Sequence, residues 1–276
     1  MALLLNRRSI TAGLGALAIA PAISRAASAG LTFGPVQPFS FDLLKRRARA
    51  LASAPYVAPK VAEADILEAL DYDAYGQIVY RPELALWGNT PGAQAVRLFP
   101  IGRYFKEPVR VNVVENGTSR ELIYRSELFH IPVGNPALRL KTGGFAGFRL
   151  MNGGTDSDWM SFLGASYFRS SGPFDQYGAS ARGLAINSGA STPEEFPRFS
   201  AFWLERRPDG TVRAYALLEG PSVTGAFRID NRKTPAGPVQ EIETELYFRK
   251  PVTDLGLAPL TSMFWYGQNA DGARPD

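Results

Sequence analysis

The sequence predicts an all-β protein, a large antiparallel β-sandwich with short N-terminal helices. Three observations carry this. Short apolar segments with period-two alternation recur at intervals of roughly 12–20 residues, the rhythm of strands. Turn residues separate them: Asn116-Gly117 follows the alternating Val109–Val114, and Pro208-Asp209-Gly210 precedes Thr211–Glu219. Hydrophobic residues make up 45% of the 276, enough to fill a sizeable core as one large domain or two small ones.

Residues 1–29 read as an export signal. Arg7-Arg8 precedes the weakly hydrophobic run ITAGLGALAIAPAI, and Ala27-Ser28-Ala29 is a small-x-small cleavage site. The paired arginines point to twin-arginine export, with an ordinary Sec signal as the alternative. Either route places the mature chain, from about Gly30, outside the cytoplasm. Residues 30–40 hold Gly34, Pro35 and Pro38 and read as linker or edge strand.

The domain proper begins at residue 41. Phe41–Ala54 predicts a helix with Ser40 as N-cap, Asp42 in its first turn and Pro55 as its stop. Its basic run, Lys45–Arg49, reads as a solvated face. A second short helix covers Glu63–Leu70, and Tyr72–Gly76 turns the chain into a strand at Gln77–Tyr80. Strands follow at Val96–Pro100, Val109–Val114, Glu121–Tyr124 and Gly144–Leu150; the glycines of GFAGFRL signal a bulge or a close backbone approach. Further strands cover Trp159–Arg169, Tyr177–Asn187, Arg198–Glu205, Thr211–Glu219, Ser222–Ile229 and Gln240–Phe248. Leu255–Tyr266 is apolar with Gly and Pro inside. The polar close at Asn269–Asp276 reads as a truncation or a domain boundary.

Several function classes drop out. The formal charge of +4 is partly the signal's, and no basic stripe suits nucleic acid. With no cysteine and one histidine, His130, there is no thiolate site and no histidine-based zinc site. His130 sits where a strand runs into a turn and reads as structural. Catalysis would then fall to carboxylates. Those near the middle of the chain are Asp156, Asp158, Asp175, Glu194, Glu195, Glu205 and Glu219. Asp156 and Asp158 read as a solvated turn, Glu194-Glu195 as surface, and Glu205 as a strand-end charge beside Arg206 and Arg207. No cofactor or metal is expected.

Phe162–Ile186 is the densest stretch. FLGASYFR and YGASARGLAI flank a polar turn at Ser170–Gly178, and read as two strands facing a flat polar ligand. Phe162, Phe168, Phe199 and Phe202 fit a sandwich core. Tyr167, Tyr177, Trp203 and Trp265 carry polar handles on apolar rings and suit stacking on sugars. Arg169 and Arg182 offer guanidinium forks, or else hold the sheet as buried ion pairs. With Glu205, these are the candidate substrate-binding residues.

FLGASYFR, YGASARGLAI, EEFPRFSAFWLER, YALLEGPSVTGAF and LGLAPLTSMF together resemble the N-terminal domain of the periplasmic glucan biosynthesis proteins (the MdoG/MdoD, or OpgG/OpgD, family). The resemblance runs from about Phe39 to the end, and the signal is similar to that of D-type members. It implies a galactose-mutarotase-like sandwich over residues 41–276, incomplete at its C-terminal end, and a following immunoglobulin-like domain absent from this chain. It further implies a periplasmic protein that binds β-1,2-linked glucan and, at full length, processes it. The family's acidic catalytic stretch would follow the present end, so no catalytic residue carries over. Pro100 stands where relatives commonly have His, and Lys141-Thr142-Gly143 replaces an acidic-apolar lead. The alternative function is a non-catalytic carbohydrate-binding or scaffold module contacting a membrane glucan synthase.

Overall fold

The structure, a computed structural model, describes residues 30–154, 156–172 and 176–263, with backbone alone at 178, 179 and 261–263. The expected export signal, Asp175 and Trp265 lie outside the described residues.

Two sheets dominate. One has seven strands in the order β1 (Gln37–Pro38), β5 (Thr118–Glu121), β4 (Arg110–Glu115), β12 (Arg198–Arg206), β13 (Val212–Glu219), β14 (Val223–Thr234) and β15 (Gly237–Phe248). The other has six: β17 (Leu260–Met263), β10 (Tyr177–Arg182), β9 (Tyr167–Ser171), β8 (Asp158–Leu163), β7 (Phe145–Met151) and β3 (Val96–Pro100). Two short pairs complete the strands, β11 (Leu184–Ile186) with β16 (Leu255–Leu257) and β2 (Val79–Tyr80) with β6 (Phe129–His130). Among these pairings only β4 with β12 is parallel. The all-β sandwich is the predicted class.

Alternation builds the interior. Phe148, Leu150, Met160, Phe162 and Phe168 of the six-stranded sheet meet Phe199, Phe202, Leu204 and Phe227 of the seven-stranded one in a single buried cluster. The rings interlock: Phe148 stacks on Phe162 at 4.7 Å, and Phe202 meets Phe148 edge-on at 5.0 Å. Edge-on aromatic pairs gain about 0.5–1.5 kcal/mol beyond their buried area.

The outer face of the seven-stranded sheet is covered by α1 (Phe41–Ala52). Ser40 accepts the Leu43 amide as its cap. Leu44 and Ala48 face the sheet and join Phe39, Trp203, Tyr215 and Leu217 in a second, smaller core. Thr224 donates to the Ala48 carbonyl at 2.7 Å, and the Arg249 guanidinium donates to the carbonyls of Leu51 and Ala54 at the helix end. Two short helices, α2 (Ala64–Glu68) and α3 (Tyr72–Gly76), lie before β2. The α3 turn closes as a helix because the Asp71 carboxylate caps the Ala74 amide.

One expectation fails in its detail. FLGASYFR is not a single strand but a hairpin: Gly164 and Ala165 turn with φ of 71° and 39°, and Phe168 comes back opposite Phe162. The small residues serve that turn. Gly147 does make the expected close approach, since a Cβ there would lie 1.9 Å from the Phe162 carbonyl oxygen.

Candidate functional site

The outward positions of the six-stranded sheet form one continuous row. Arg97 of β3 pairs in register with Arg149 of β7, Arg149 with Ser161 of β8, and Ser161 with Arg169 of β9. Arg169 then pairs with Ser180 of β10, and Ser180 with Ser262 of β17. On β3, β7 and β8 the neighbours point inward: Val96 and Leu98, Phe148 and Leu150, Met160 and Phe162 are all buried in the core, as are Phe168 beside Arg169 and Ala181 beside Ser180. Alternation therefore obliges Arg97, Arg149, Ser161, Arg169 and Ser180 onto the other face.

Aromatic rings and carboxylates hold these side chains in place. The Arg169 guanidinium lies 4.7 Å over the Tyr177 ring, and its Nε donates to Ser161 Oγ at 3.2 Å. The Tyr177 hydroxyl donates to the Asp158 carbonyl. Arg149 sits over Phe99 at 5.3 Å, with Nη1 3.8 Å from Asp158 Oδ1. Burial lowers the Arg149 pKa; Asp158 opposes that shift and Arg97 adds to it. Partial burial, then the Asp158 charge, pushes the Tyr177 hydroxyl up, so it stays a neutral donor. Arg97 donates through Nη2 to Asp156 Oδ1 at 2.9 Å. The Nε atoms of Arg97 and Arg149 and Oδ2 of Asp158 are buried with no hydrogen-bond partner among the described residues. Such atoms are costly unless something completes them.

Four of the seven candidate residues, Tyr167, Arg169, Tyr177 and Arg182, share this sheet on β9 and β10. Arg169 and Tyr177 are exposed. Arg182 is 7% exposed and committed elsewhere. It lies over Tyr167 and Phe196, and donates to Glu194 at 2.5 Å and Ser188 at 3.2 Å. That is the ion-pair role left open from the sequence, and it moves Glu194 from plain surface to a structural partner. Trp203 and Glu205 are on β12, in the other sheet. Trp203 is 6% exposed and stacks on Phe39 at 5.3 Å. Glu205 accepts from Tyr215 at 2.9 Å and Arg207 at 3.2 Å. Asp158 opens β8 with its side chain 13% exposed, so it is no solvated turn residue; Asp156 remains exposed.

Sequence reading missed Arg97, Arg149 and Ser161. VRLFP and FRLM show that each arginine faces away from the core, but nothing in either segment shows that the two are opposite each other. Among the described residues, no group of three His, Asp or Glu side chains could hold a metal, and no helix is long and apolar enough to cross a membrane.

The sandwich thus carries guanidinium forks and hydroxyls in register on one outer face, with the Tyr177 ring under Arg169. The chain belongs to the family described as "Periplasmic glucan biosynthesis protein, MdoG", which matches residues 39–276. It is 40% identical to glucans biosynthesis protein D 2 of Ralstonia nicotianae over 99% of this chain and 53% of the relative. It is 44% identical to glucans biosynthesis protein D of Stenotrophomonas maltophilia over 90% of this chain and 47% of the relative. For the Xylella fastidiosa protein D the figures are 45%, 86% and 45%. The chain thus spans about half the length of the curated relatives it matches.

Proposed function

We propose that this chain is the glucan-binding sandwich of a periplasmic protein of glucan biosynthesis, and that it holds a β-1,2-linked glucan along the outer face of the six-stranded sheet. The observation that carries the reading is the row Arg97–Arg149–Ser161–Arg169–Ser180, in register across five strands. A glucan is neutral and dense in hydroxyls, and each hydroxyl can accept from a guanidinium and donate to a serine. Tyr177, and Tyr167 further along the face, add apolar surface for the C–H faces of the sugar rings. The family description and the names of the relatives support the substrate class and the periplasmic location. Arg7-Arg8 and Ala27-Ser28-Ala29 support export through the twin-arginine route.

Calorimetric titration with β-1,2-gluco-oligosaccharides tests this. Arg169→Ala is expected to weaken binding about tenfold or more, the loss of hydrogen bonds from a charged donor. Arg228→Ala removes an arginine paired with Glu243 on the other sheet and is expected to leave affinity unchanged. Equal affinity in Arg169→Ala, or no oligosaccharide binding at all, overturns the reading.

A further inference from the structure

A cleft of about 650 Å³ opens where the loop between β7 and β8 meets the far end of β14 and the segment leading into β3. Gln94, Arg97, Asn152, Asp156, Trp159 and Lys233 supply its polar lining. Its size falls within the range of small-molecule sites.

Three buried polar atoms on these side chains have no hydrogen-bond partner among the described residues: Gln94 Oε1, Arg97 Nε and Trp159 Nε1. Trp159 is 1% exposed and Arg97 8%. A β-bulge brings Trp159 there. Leu150 pairs with Met160 and Met151 with Asp158, so Trp159 is the extra residue, and it and Met160 are both buried in the same core. A bulge re-aims a side chain, and this one sets Trp159 in the lining of the cleft, its indole N–H buried and unpartnered among the described residues. Gly92, Gly153 and Gly154 also line the cleft, and a Cβ on any of them would meet nothing within 4 Å, so the wall there is open.

We propose that this cleft is a second binding site, for a single sugar ring offered as a free monosaccharide or as the end of a chain. The orphan atoms are two donors and one acceptor. A bare anion satisfies donors only and leaves Gln94 Oε1 unpaired. A hydroxyl both accepts and donates, so a sugar's hydroxyls match donors and acceptor alike. The charges agree, because Asp156 already neutralises Arg97 through the 2.9 Å hydrogen bond, and Lys233 donates to Asn152 at 2.7 Å. Arg97 borders both this cleft and the outer-face row. Gln94 and Trp159 belong to the cleft alone, so the inference goes beyond the outer-face reading.

The test follows the four tryptophan indole N–H resonances during titration with D-glucose and, separately, inorganic phosphate. The resonance missing from Trp159→Phe is expected to move saturably with glucose, and that variant to bind glucose about tenfold more weakly. Gln94 is only half-buried, so Gln94→Met tests the acceptor without touching the core. It is expected to weaken binding similarly and decides the matter if Trp159→Phe does not fold. No glucose-dependent shift at Trp159, an unchanged affinity in Gln94→Met, or a response to phosphate in place of glucose overturns the proposal. Failure here, with oligosaccharide binding and its dependence on Arg169 intact, removes the cleft alone. Loss of the Arg169 dependence with a glucose response retained removes the outer-face reading alone.

Discussion

Gly147 has no room for a side chain on the six-stranded sheet. Its missing Cβ would lie 1.9 Å from a backbone oxygen of β8, which cannot swing aside as a flexible side chain would. Gly147→Ala is expected to cost about 3 kcal/mol or more, at or above the upper end for overpacking, and chemical denaturation measures it. Two arginines of similar sequence setting part company in the same way. Arg169 lies between Phe168 and Ser170, Arg182 between Ala181 and Gly183, and nothing in the chain ranks one above the other. Burial does. Arg182→Ala strips Glu194, Tyr167 and Phe196 of their common partner and is expected to lower the thermal midpoint by several degrees. Arg169→Ala removes an exposed side chain and is expected to leave that midpoint near the parent's. The candidate site was legible residue by residue in β9 and β10, where rings and arginines crowd one segment. It was not legible in β3, β7 and β8, because cross-strand register is a property of pairing, not of any one strand.

The elements written most clearly in the chain are those whose signals are local. Ser40, Asp42 and Pro55 bound α1, and the structure runs it from Phe41 to Ala52. Asn116-Gly117 makes the β4–β5 turn, with φ of 49° and 74°. Ser40→Ala is expected to destabilise the fold by about 1 kcal/mol, read as a lower denaturation midpoint at unchanged slope. Elements that depend on distant partners were hidden. The parallel pairing of β4 with β12 joins segments 90 residues apart, as the bond from Asn112 to the Phe202 carbonyl illustrates. The extension of β14 to Thr234 runs through the polar Asp230–Lys233, which carries no hydrophobic alternation. It is held instead by cross-strand pairs, Arg213 with Asp230 at 2.6 Å and Arg232 with Glu241 at 3.0 Å.

At the scale of the molecule, carboxylates fasten separate segments together. Glu63 accepts from the amides of Lys141 and Thr142, which ties the start of α2 to a loop 78 residues further on. Those hydrogen bonds hold its pKa below the usual value. Glu194 is lowered by Arg182, and Asp209 by the Thr211 hydroxyl and amide in the β12–β13 turn. A depressed carboxylate contributes stability above its unfolded pKa, and that contribution is lost as pH falls through the folded one. Thermal melting across the acid range is therefore expected to show a midpoint that falls below about pH 4.5. Glu63→Gln is expected to start lower at neutral pH and to fall less steeply on acidification. An unchanged acid slope in that variant would show that Glu63 plays no part.

The registered row also fixes a length scale. Neighbouring strands lie about 4.8 Å apart, so the positions from Arg97 to Ser262 are graduations on a ruler about 24 Å long. Backbone hydrogen bonds set the divisions, not the outward side chains. A chain ligand laid across the strands, as proposed, would be measured as well as bound. On the proposed outer-face reading, affinity is expected to climb with each sugar unit that reaches another graduation and to level off once the ruler is covered, and titration with oligosaccharides of increasing length measures it.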